Sequence, residues 1–203
     1  MRPANEALLV IDVQNDFCPG GALAVSEGHQ VVPYINEMML DFRHIVLTQD
    51  WHPNRHSSFA SSHSGKGEFE LTQMPYGPQV LWPDHCIQGS EGAAFHEKLD
   101  TDRANVIIRK GSNPEIDSYS GFFENDHKTP TGLDGYLKTR GIDTVTIVGL
   151  ATDYCVRFTA TDARTLGLSV AVDLAGCRGI GLGDSLGEAY DEMRKSGVTL
   201  IEG

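Results

Sequence analysis

Four short apolar runs, each followed by a reactive side chain, constrain this chain more than any other feature. Leu8–Ile11 runs into Asp12, and His44–Gln49 runs into Asp50, Trp51 and His52. Val106–Arg109 runs into Lys110, and Thr144–Gly149 runs into the stretch from Leu150 to Cys155. Runs this short and rich in Val, Ile and Leu, separated by longer amphipathic stretches, are the signature of parallel βαβ units. In an open parallel sheet the carboxyl ends of the strands share one edge, where ligands bind. The predicted fold is α/β, a three-layer α/β/α sandwich on a six-stranded, mainly parallel sheet. A carboxylate, an ammonium, a thiol and a candidate metal-ligand pair are thereby delivered to one crevice.

The intervening stretches fit this rhythm. Val31, Val32, Ile35, Met38 and Met39 recur at helical spacing over 29–40. Thr131 can cap a helix over about 132–140, which Gly141 stops. Thr152 or Asp153 can cap the helix carrying Val156, Phe158, Ala160, Ala163 and Leu166, ending at Gly167. Ser169–Asp173 reads as a fifth strand, 184–195 as a last helix and Val198–Ile201 as a sixth strand. The Gly-rich stretch Gly176–Gly183 does not match GxGxxG and reads as a tight βα connection. Residues 1–203 are expected to form one domain, interrupted by a long insertion at about 50–89. That insertion holds Pro53, Pro75, Pro78 and Pro83, so it is not one helix, and its His and aromatic content points to function.

A formal charge of −12 argues against nucleic acid, which needs clustered Lys and Arg, and against an anionic membrane surface. No stretch approaches the ~18 apolar residues of a membrane span. Met1–Glu6 lacks the apolar core of a signal peptide, and the four cysteines form no CxxC. Reduced thiols and a cytoplasmic location are the expectation.

Asp50 and His52 lie two apart, so in an extended segment both side chains point the same way. A third ligand from a distant point would complete an Asp/His/His set that suits Zn, Fe or Mn and leaves room for water or substrate. His56 is a candidate fourth ligand, or a holder of metal-bound water. Surface histidines are the bland alternative, and that reading is kept for His29, His44, His63, His96 and His127. Cys155 falls at a helix N-terminus, where amides and the helix dipole would lower its pKa and could hold an oxyanion. A cysteine is more often a small buried hydrophobe, the reading kept for Cys18, Cys86 and Cys177. Alone, Asp12 could make an Asx turn and Lys110 could be a solvated strand end. With Cys155 they supply a base, a cation and a nucleophile from three strands.

These segments resemble a known family. Ile11–Cys18, Thr48–Pro53, Trp82–Cys86, Lys110–Gly111, Asp117–Phe122 and Gly149–Val156 occur in the order found in the isochorismatase-like cysteine hydrolases. The Asp-x-His with a later Trp-Pro-x-His-Cys is similar to the nicotinamidase branch. The resemblance implies a Rossmann-like sheet and an Asp12–Lys110–Cys155 triad. It implies one divalent metal on Asp50, His52 and His85, most simply zinc, with iron or manganese as alternatives. It further implies a cis peptide between Leu150 and Ala151, and an oxyanion hole from the Ala151 and Cys155 amides. Phe17, Trp82, Tyr119, Leu150 and Tyr154 would contact the substrate. The expected activity is hydrolysis of nicotinamide to nicotinate and ammonia in NAD salvage, on a small-molecule substrate, with a homo-oligomer as a further expectation. Two alternatives stay open at this point: an amidohydrolase acting on a carbamoyl or ureido compound, and a non-catalytic metal-binding module.

Overall fold

The computed structural model describes residues 1–202. In chain order it runs β1 (Glu6–Ile11), α1 (Val31–Met39), β2 (His44–Asp50), β3 (Leu71–Met74), β4 (Gly77–Val80), β5 (Val106–Lys110) and α2 (Leu133–Thr139). There follow β6 (Thr144–Leu150), α3 (Arg157–Thr165), β7 (Ser169–Arg178), α4 (Ser185–Lys195) and β8 (Thr199–Ile201). Six strands form one sheet in the order β5-β2-β1-β6-β7-β8, and all its pairings are parallel. Helices flank the sheet, α1 against β7 and α3 between β7 and α4. Among the described residues, no helix is long and apolar enough to cross a membrane.

All six residues of β1 are buried, as a central strand covered on both faces requires. Leu8, Leu9 and Ile11 are fully buried, each contributing roughly 1.5–3 kcal/mol on transfer from water. The edge strand β5 alternates instead, leaving Ile107 and Arg109 exposed. Gly149 is what lets β6 lie against β1: a Cβ there would meet the Ile11 carbonyl oxygen at 2.2 Å.

Three local expectations are corrected. Strand β7 does not end at Asp173 but continues to Arg178. Its register shifts between Ile147 and Gly149 of β6, so Gly176, Cys177 and Arg178 belong to the strand and not to a tight turn. A bulge absorbs the extra residues, and Val148 packs where a Gly176 Cβ would stand, at 2.8 Å. The 50–89 insertion contains the antiparallel hairpin β3–β4. Neither Thr152 nor Asp153 caps the helical segment that holds Cys155. Asp153 instead accepts hydrogen bonds from the Ile180 and Gly181 amides and the Ser185 hydroxyl, pinning the loop before α4. Thr131 does accept from the Leu133 amide at the start of α2, and Gly141 follows that helix with φ 66°.

Candidate active site

The sheet register assembles the site. Asp50, the last residue of β2, is paired directly with Lys110, the last residue of β5. Asp12 follows β1 in a left-handed conformation, φ 45°, which Asp tolerates better than most residues. Its amide donates to Thr48 Oγ1 at 3.1 Å, and the Thr48 hydroxyl returns a bond to Asp12 Oδ1 at 2.6 Å. Lys110 Nζ lies 2.8 Å from Asp12 Oδ2, 3.0 Å from Asp50 Oδ1 and 3.5 Å from Cys155 Sγ. It also donates to the Ser118 carbonyl at 2.7 Å. Asp12, Lys110 and Cys155 are therefore in one buried cluster.

Cys155 sits in a π-helical turn, Thr152–Val156, that leads into α3. At the start of a helical segment, amides lack intrahelical partners. The Leu150–Ala151 peptide is cis, as the resemblance implied. The Cys155 pKa departs from the sequence expectation. Burial pushes the thiol well above its usual value, Lys110 opposes this, and Asp12 and Asp50 add to it. Burial likewise raises Asp12 against the pull of Lys110. For Lys110, burial works against the charge, but Asp12 and Asp50 outweigh it and hold the ammonium firmly protonated. Cys155 thus faces both a carboxyl group and an ammonium.

Asp50, His52 and His85 converge beside this cluster, with ligand atoms within 4.8 Å of one another. His52 Nδ1 faces the Gly111 carbonyl at 2.9 Å and His85 Nδ1 the Pro83 carbonyl at 2.8 Å. A carbonyl only accepts, so each Nδ1 carries the proton and each Nε2 presents a lone pair. His52 Nε2 is buried without a hydrogen bond, yet lies 2.9 Å from Asp50 Oδ2. Two acceptors that close need a positive charge between them. Burial opposes charge on His52, but Asp50 outweighs it and raises its pKa. Burial pushes Asp50 up, and His52 and Lys110 more than reverse this, leaving it well below the carboxylate range. A carboxylate and two imidazole Nε2 atoms converging on one point are a donor set that fits a divalent metal ion.

His56 is not drawn into this set. Its Nε2 donates to the Asn113 carbonyl at 2.7 Å, while Nδ1 accepts from the Ser58 amide at 3.1 Å. It belongs instead to a second grouping with His52 and Asp117.

Cys155, Asp50 and His85 line one narrow cavity. Phe17, Trp82, Tyr119 and Tyr154 line it, with Trp82 and Tyr154 edge to face at 4.8 Å. Ala151 reaches it, but Leu150 does not. The Leu150 side chain is fully buried and packs on the Gly28 side. A separate, larger cleft near Asp16 and His96 contains none of these groups.

Sequence reasoning gave no role to Thr48, Gln14, Asp117 or Ser118. Gln14 clamps the backbone of Asp50, accepting from its amide at 2.7 Å and donating to its carbonyl at 2.9 Å. Gln14 and Asp117 lie inside segments that carry the family resemblance, the one signal available. Thr48 and Ser118 lie inside such segments as well.

An isochorismatase domain profile matches residues 6–203. The chain belongs to the isochorismatase family. It is 55% identical to a nicotinamidase of Acinetobacter baylyi, over 99% of this chain and 94% of that one. The structure of a nicotinamidase–pyrazinamidase from Acinetobacter baumanii superposes with a TM-score of 0.98 at 52% identity, covering 100% of this chain and 98% of that one. The pyrazinamidase of Pyrococcus horikoshii, solved in complex with zinc, superposes with a TM-score of 0.80 at 37% identity, covering 98% and 99%.

Proposed function

We propose that this chain is a nicotinamidase, a metal-dependent cysteine amidohydrolase that converts nicotinamide and water to nicotinate and ammonia. One arrangement supports it above all: the Asp12–Lys110–Cys155 cluster and the Asp50/His52/His85 cluster open onto the same aromatic cavity. Phe17, Trp82, Tyr119 and Tyr154 offer aromatic faces and edges against which a flat ring would pack with its carboxamide toward Cys155.

Asp12 removes the Cys155 proton as sulfur attacks the carboxamide carbon, because a buried thiol of raised pKa needs a base in contact. The Ala151 and Cys155 amides receive the oxyanion, where each such donor is worth about 3 kcal/mol. The C–N bond breaks as Asp12 returns the proton to the departing ammonia, leaving a thioester. Asp12 then takes a proton from water, which attacks the thioester and releases nicotinate and the thiol. Lys110 orients Asp12 and holds positive charge beside the sulfur throughout. A divalent metal ion, zinc in this proposal, would be held by Asp50, His52 and His85 and would supply a Lewis-acid anchor for the pyridine nitrogen.

Ammonia release from nicotinamide by the purified, metal-analysed protein tests the proposal. Metal-dependent release supports it, and none from metal-loaded protein contradicts it.

A further inference from the structure

The hairpin β3–β4 stands outside the main sheet, and most of its side chains face solvent or are half-buried. Its exception is Gln79, which is 1% exposed. A polar side chain is costly to bury unless its amide is fully hydrogen-bonded. Here it is. Gln79 Nε2 lies 2.6 Å from Asp117 Oδ2, 2.8 Å from the Val80 carbonyl and 2.9 Å from the Tyr119 hydroxyl, three acceptors that share its two N–H donors. Its Oε1 accepts from Asn125 Nδ2 at 3.1 Å and from the Tyr76 hydroxyl at 3.2 Å. These partners fix which end of the amide is which, since an Oε1 set against the Asp117 carboxylate would be repelled.

Two of those partners, Asp117 and Tyr119, line the cavity. The Tyr119 oxygen also accepts from Trp82 Nε1 at 3.1 Å, so two donors hold that ring at its tip. The other oxygen of Asp117 lies 3.8 Å from His52 Nε2, and the Ser118 amide donates to it at 2.8 Å. Gln79 thus ties one aromatic wall of the cavity and one carboxylate beside the metal-ligand cluster to a hairpin outside the main sheet.

We propose that Gln79 is a positioning residue: it holds Tyr119 and Asp117 in the orientation that admits the substrate ring. The proposal rests on the nicotinamidase reading for the identity of the ring, while the tether itself is independent of it. Gln79 does not face Cys155, so its loss acts on binding and not on bond breaking.

The test compares wild type with Gln79→Leu, which keeps the bulk and removes the hydrogen bonds, and with the isosteric Gln79→Glu, which removes the donor facing Asp117. Losing one or two such bonds should raise KM for nicotinamide roughly tenfold, with kcat within about twofold of wild type. Pairing Gln79→Glu with Asp117→Asn restores a donor and an acceptor with the roles exchanged, and should recover part of the KM. An unchanged KM in a folded Gln79→Leu protein, or a loss confined to kcat, overturns the proposal. Should Gln79→Leu fail to fold, Gln79→Glu carries the same expectation and the same contrary result. If wild-type protein releases no ammonia from nicotinamide, the nicotinamidase reading falls by itself. Crystal structures of wild type and variant then decide the tether: displaced Tyr119 and Asp117 side chains support it, and unmoved ones overturn it.

Discussion

The Lys110 ammonium lies 3.0 Å from Asp50 Oδ1, so the cation of the nucleophile cluster also touches the metal-ligand cluster. The two halves of the site share one buried positive charge. Asp12 claims another of its donors, and the Ser118 carbonyl a third.

Because Asp12 and Lys110 act as one unit, their losses should not add. Asp12→Asn and Lys110→Ala are each expected to cut turnover on the order of 10³-fold or more, and the double variant to be barely worse than the worse single one. Lys110→Ala also leaves buried carboxylates unpaired, a change worth about 3–5 kcal/mol of stability, so denaturant midpoints should be read with the kinetics. Fully additive losses in folded protein would place the two residues in independent steps.

Gly111 tests how the metal cluster is held. Its φ is 67°, and a Cβ there would meet His52 Cε1 at 2.5 Å and Nδ1 at 2.7 Å. Gly111→Ala must therefore displace the ring whose Nδ1 bonds the Gly111 carbonyl. Metal affinity, measured by chelator competition, should fall roughly 10–100-fold, as when the group orienting a ligand is lost. Unchanged affinity would show that His52 is not fixed by this contact.

Benzamide separates positioning from chemistry. It carries the carboxamide without the ring nitrogen, so it should be a poor substrate for metal-loaded protein. Stripping the metal, or making His52→Ala or His85→Ala, should reduce kcat/KM for nicotinamide far more than for benzamide. Equal loss for both amides would mean that the metal takes part in bond breaking.

Much of the site was legible because short apolar runs stand out as strands, and the residues that matter lie at or just after their ends. Asp12 follows and Asp50 ends a strand buried on both faces, Lys110 ends the half-exposed edge strand β5, and Cys155 lies five residues beyond β6. What escaped depends on contacts distant in sequence. The hairpin strands Leu71–Met74 and Gly77–Val80 are short, polar and interrupted by Pro78, with no apolar alternation to reveal them. Gln79 accordingly gave no signal. Asp153 has the residue type of a helix cap, but residues 27, 28 and 32 positions further on take its oxygens. The Cys155 thiol was expected to be acidified by its helix, a local effect; burial, against the pull of Lys110 and with Asp12 and Asp50, pushes it up instead.

The central claim is that Cys155 forms the covalent intermediate. Mass spectrometry of metal-loaded protein, acid-quenched during nicotinamide turnover, tests it most directly. The account predicts a nicotinoyl adduct on the peptide that carries Cys155, with no turnover and nearly unchanged metal content in Cys155→Ala. An unmodified Cys155 during turnover, or substantial ammonia release by Cys155→Ala, would contradict it.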